Sequence, residues 1–168
     1  GAPERTGVVV LAGTGSIAGY GPNWPAPSMN WKAAAAALPW FGITILMAVV
    51  GLWRIRHEGI GRELDGLCRD SALVFAVIGG VWTMADRAGH RPLGFDASIV
   101  ALTAVHFHFA GLLLPLMAGL VQRELFFFRL ASRAAVGVIL GVPAVAVGIT
   151  TTQLGAGPSI EAAAGWVP

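Results

Sequence analysis

The sequence predicts an all-α, polytopic transmembrane helical bundle with at least four spans. Three observations carry that expectation. Of the 168 residues, 55% are hydrophobic and only 12% charged, against about 45–50% and about 25% in ordinary soluble domains, so there are too few charges to coat a water-facing surface. Apolar runs recur at the length that crosses a hydrocarbon core, roughly 20 residues of helix. Between them lie stretches rich in Arg, Pro or Gly. In lipid only helices and closed barrels satisfy the backbone, and these runs are too long and too evenly apolar for alternating barrel strands.

The elements follow in order, and the chain reads as one transmembrane domain. Residues 7–20 are apolar and small, too short to span alone, and read as a partial helix. Pro22, Pro25 and Pro27 make the next stretch a loop, and Trp24, Trp31 and Trp40 around it suit a headgroup level. The first full span is 33–53, bracketed by Lys32 and Arg54. Pro39 there marks either the first turn or a kink. Residues 54–70 read as a polar connection, a solvated loop or short interfacial helix. The second span, 67–85, is short in uncharged residues, but Arg69 can snorkel at its end. Its Gly79-Gly80 pair admits a close helix neighbour.

The third span is 97–122, with Asp96 and Ser98 as rival N-caps. Pro115 inside it leaves the Gly111 carbonyl without its helical donor. Phe126-Phe127-Phe128 in the following loop suits an interfacial re-entry. The fourth span, 134–154, carries Pro143, which frees the Ile139 carbonyl. A turn then leads into a further partial helix at 160–168, so the sequence reads as a piece of a longer chain. Arginines gather on one side: Arg5, Arg54, Arg56, Arg62, Arg69, Arg123, Arg129 and Arg133, against Lys32, Arg87 and Arg91 on the other. The positive-inside rule assigns the first group to the cytoplasm.

Several functions are disfavoured. No basic cluster interleaves with aromatics, so nucleic acid is not an expected partner. The lone Cys68 rules out an intramolecular disulfide and any Cys-based zinc site, and reads as a small buried hydrophobe. Gly13-Thr-Gly-Ser16 lacks the Lys-Ser/Thr of a phosphate loop. No Gly-x-Ser-x-Gly nucleophile motif occurs, and Ser71, Ser98 and Ser132 read as caps near helix ends.

Chemistry concentrates in Thr103-Ala-Val-His-Phe-His-Phe-Ala-Gly111. At 1.5 Å per residue, His106 and His108 lie about 14–17 Å into the third span, near mid-membrane. Ionisable groups at that depth are costly and face a protein interior or a water cavity. On a regular helix the two imidazoles point about 200° apart, so a shared metal would need local unwinding or ligands from other helices. Neither a His-x-x-x-His nor a helical Glu-x-x-His pair is present. No metal site is assigned, and the cofactor stays unknown, with none strongly implied. The candidates for a ligand path are therefore His106, His108 and Thr103. Thr103 lies one turn before His106, where it bonds either the imidazole or its own backbone. His106 shares a face with Ala110 and roughly Leu113, whereas His108 lies on the smaller-residue side with Ala101 and Ala104. The expectation is that His108 packs at a helix contact and His106 faces a cavity. Beyond the bilayer itself, a small molecule or ion is the expected partner.

Arg91-Pro-Leu-Gly-Phe-Asp96 followed by Ile99-Val-Ala-Leu-Thr-Ala-Val-His-Phe-His-Phe-Ala-Gly111 resembles the YndJ-like family of bacterial membrane proteins. The resemblance implies a multipass protein of the bacterial cytoplasmic (inner) membrane, transporter-like and longer than this chain. It draws attention to His106 and His108 without supplying their role. Three classes stay open: a transporter or small-ligand membrane protein with an intramembrane His-x-His site, a structural or assembly protein whose histidines bridge helices, and a membrane enzyme or redox subunit.

Overall fold

The structure is a computed structural model and describes residues 31–59, 63–124 and 129–156. The expected partial helices at 7–20 and 160–168, the proline loop and Phe126–Phe128 lie outside these residues. Among the described residues the fold is all-helical, without strands. Helix α1 is Trp31–Glu58 and α2 is Leu64–Ala88. The third span is continuous over Ala97–Glu124. It consists of α3 (Ala97–His106), a π-helical segment (Phe107–Leu113) and α4 (Leu114–Glu124). Helix α5 is Arg129–Thr151 and ends in a second π turn, Thr152–Ala156. All four spans are long and apolar enough to cross a membrane.

The distribution of side chains is that of a protein in lipid. What is buried is mostly small: Ala48, Cys68, Ala72, Ala76, Ala104 and Ala135. What is exposed is large and apolar, such as Leu46, Trp53, Met117 and Leu140. Lipid tails are as apolar as Leu, so helices associate through close packing of small residues, not by hiding large ones. The glycines of α2 illustrate this. A Cβ on Gly80 would collide with Thr44 Oγ1 of α1, and one on Gly79 would lie 2.8 Å from His108 Nδ1. Thr44 is fully buried at this contact and returns its hydroxyl to Phe41 O at 2.8 Å.

Helices α1 and α2 form an antiparallel pair, and the third span lies against the other side of α2. Gly89 ends α2 in the left-handed region at φ +68°, its N–H reaching back to Ala85 O and Asp86 O, as glycine does at helix C-termini. The chain then folds back so that Phe95 stacks on Trp82, ring centroids 6.1 Å apart, over Ala85 and Val100. This small cluster fixes where α3 begins. Asp96 occupies the N-cap position, without a side-chain cap bond. Helix α5 packs mainly along α4.

The helices overrun the apolar runs that suggested them. The stretch 54–70, read as a connection, is mostly helix: α1 continues to Glu58 and α2 starts at Leu64. Ser71 is therefore buried inside α2 and caps nothing. Arg69 and Asp70 neutralise one another within the helix, which removes the reason to end it there. Pro39 and Pro143 both lie within continuous helices.

Candidate functional site

His106 and His108 leave the third span in different directions and meet different partners. His108 is half-buried where three helices meet. Its Nδ1 lies 2.7 Å from Ala104 O, one turn back, and its Nε2 receives the indole N–H of Trp40 from α1 at 2.8 Å. The two rings stack with centroids 5.6 Å apart. A carbonyl can only accept and an indole N–H can only donate, so Nδ1 carries the proton and Nε2 is the acceptor. Both ring nitrogens are engaged. The missing side chain of Gly79 provides the room, since any Cβ there would meet the ring.

His106 faces α5. Its Nε2 lies 3.2 Å from Val142 O, the carbonyl immediately before Pro143. Because that carbonyl accepts, Nε2 carries the proton, and in the neutral ring Nδ1 is left as an acceptor. The imidazole lines a cleft of about 330 Å³ between the third span and α5. One wall is His106, Ala110 and Leu114, and the other is the face of α5 from Ala134 to Val145. Gly137 and Gly141 keep the α5 wall low. A Cβ on Gly141 would meet nothing within 4 Å.

A π segment lies within this wall. Leu114 N–H bonds Phe109 O, one residue further back than in an α-helix. The expected face held His106, Ala110 and Leu113, whereas Leu114 lines the cleft. Such π turns occur mostly singly and frequently at functional sites. This one precedes Pro115, which has no N–H to give to Gly111 O. Within it Phe107 is buried, packed edge-on to both His106 and Phe75, while Phe109 is half exposed.

Thr103 does not join either imidazole. Its hydroxyl donates to Ile99 O at 2.8 Å, the backbone alternative. Among the described residues no group of three or more His, Cys, Asp or Glu could hold a metal ion.

Two side chains escaped the sequence reading. Trp40 was read as an interfacial aromatic but reaches His108 across 68 positions of sequence. No local signal in the chain announces that pairing. Asp70 was placed in a polar connection but is fully buried in α2. Arg69 Nε donates to its Oδ1 at 3.2 Å. Arg54 Nε of α1 lies 3.4 Å from the same oxygen, close enough for ionic attraction but without hydrogen-bond alignment. Here a signal did exist. Gly66, a small residue one turn before Asp70 on the same face of α2, is buried with it.

Four spanning helices, small residues inside and large apolar ones outside define a polytopic helical membrane protein. The YndJ-like protein family model matches residues 26–159, and the chain belongs to that family. It is 32% identical over 122 residues to the Bacillus subtilis (strain 168) protein named "Uncharacterized membrane protein YndJ". That match covers 70% of this chain and 21% of the relative, so the chain spans about a fifth of the relative's length. No solved structure matches.

Proposed function

We propose that this chain forms the ligand-binding part of a transporter or small-ligand protein of the bacterial cytoplasmic membrane, with the cleft beside His106 as its site. One observation carries the reading. His106 is an intramembrane imidazole with one nitrogen engaged across the bundle, and it lines a cleft of about 330 Å³. That volume is at the lower end of the roughly 300–1,000 Å³ of small-molecule sites. Mid-membrane histidines are expensive unless they serve a path or a partner.

A structural reading is favoured at His108 alone, where both nitrogens are spent in joining α1 to α3 across Gly79 of α2. The His-x-His motif accordingly divides into one ligand-facing and one bridging residue.

Native mass spectrometry of the full chain, released gently from membranes, tests the ligand reading. The wild type is expected to carry an added small-molecule mass. Gly141→Leu, which fills the cleft without a backbone clash, is expected to lose it. An added mass retained unchanged by Gly141→Leu would exclude the cleft as the site.

A further inference from the structure

The lining of the cleft also restricts what it can take, and this step rests on the ligand reading above. Among the described residues, none of the lining carries a formal charge, and His106 is its one polar side chain. An ion or a multiply hydroxylated solute would shed water there with a single partner in return. Burying an unpaired polar group is costly, and burying an ion far more so. The rim points the same way. Leu114, which lines the cleft, is 47% exposed, which in a membrane means exposed to acyl chains. A ligand reaching this site from the side stays in apolar surroundings throughout.

The imidazole then sets the polarity of the one hydrogen bond on offer. Val142 O obliges Nε2 to donate, and Nδ1 of the neutral ring is an acceptor. A ketone, ester or ether oxygen would face that lone pair with another and be repelled. A hydroxyl would satisfy it. We infer that the His106 cleft takes an uncharged, membrane-dissolved long-chain alcohol, which enters laterally from the bilayer and donates its hydroxyl hydrogen to His106 Nδ1.

The test uses the full chain in phosphatidylcholine nanodiscs, a lipid without hydroxyl or N–H donors. Two photoactivatable probes are compared, a diazirine-bearing hexadecanol and its methyl ether, with crosslinks mapped by peptide mass spectrometry. The alcohol is expected to label the α5 segment 134–145 at least several-fold more than the ether, and unlabelled hexadecanol is expected to compete. His106→Phe is expected to remove the preference. Gly141→Leu, which leaves the His106–Val142 bond in place, is expected to remove the labelling. Equal labelling by alcohol and ether, or labelling that survives Gly141→Leu, overturns the inference. If the alcohol fails to label while a cleft-dependent mass persists in native spectra, the alcohol class is wrong and the ligand reading stands. If both are absent, both fall.

Discussion

His106 and His108 are separated by one phenylalanine and sit at nearly the same depth, yet one side of their span is closed and the other open. On the closed side, α1, α2 and the third span meet over glycines, and several polar groups find partners along the seam. Trp40 bonds His108, Thr44 fits over Gly80, and Asp70 holds Arg69 and attracts Arg54. On the open side, α5 leans along α4 and leaves Gly141 with nothing opposite it. Small residues do not separate the two sides, since both carry Ala, Gly and one imidazole, although the closed side adds Trp40, Thr44 and Asp70. What separates them is whether a second helix has filled the space the glycines leave.

Substitutions that break the closed side should therefore cost stability, and those on the open side should cost almost none. The largest loss is expected for Asp70→Ala. Removing one partner of a buried ion pair costs about 3–5 kcal/mol, and both arginines here retain some exposure, so about 3 kcal/mol is expected in reversible unfolding in detergent. A loss under about 1 kcal/mol would mean that the Asp70 cluster is not part of the closed seam. Gly80→Val comes next. It forces side-chain atoms into Thr44, and overpacking of a tight contact costs about 1–3 kcal/mol. A thermal midpoint equal to wild type would show that α1 is free to move away.

His108→Phe preserves an aromatic ring but gives up two hydrogen bonds, each worth about 0.5–1.5 kcal/mol. It should destabilise by about 1–2 kcal/mol and shift Trp40 fluorescence as the indole loses its acceptor. His106→Phe, which loses one bond, should cost about half as much. Equal losses at the two positions would erase the distinction between them. The smallest effect is expected for Gly141→Leu. A helical glycine is about 1 kcal/mol less favourable than Ala, and the new side chain enters open space, so stability should be unchanged or slightly higher. A clear loss would mean that the cleft is narrower than described.

Composition and run length made the helical bundle legible, because the cost of an unsatisfied backbone in lipid permits few architectures. Gly79-Gly80 announced a close neighbour, and the opposed directions of two residues two apart in a helix separated His106 from His108. Three features were not legible, each for a physical reason. Helix limits were drawn too tightly, ending the first span at 53 and starting the second at 67, because charged residues near a span look terminal until their pairing is known. Trp40 could not be matched to His108, since tertiary pairing across 68 residues leaves no local pattern. The π segment was hidden because Pro115 signals a lost hydrogen bond but does not specify how the helix accommodates it.

That wide turn has a consequence for the length of the span. It sets the angular phase between α3 and α4, as a spacer sets the phase between two gears on one shaft. Each α-helical residue advances the helix by about 100°. The wide turn takes up one extra residue within a single turn, so deleting one residue between Phe107 and Leu113 would let ordinary turns close and leave α4 near its present phase. Inserting one more residue would instead swing α4 by roughly 100° and turn Gly119, now 3.1 Å from Asp65 O and Cys68 Cβ by the position its Cβ would take, away from α2. The third span should thus tolerate the loss of one residue in this segment better than the gain of one.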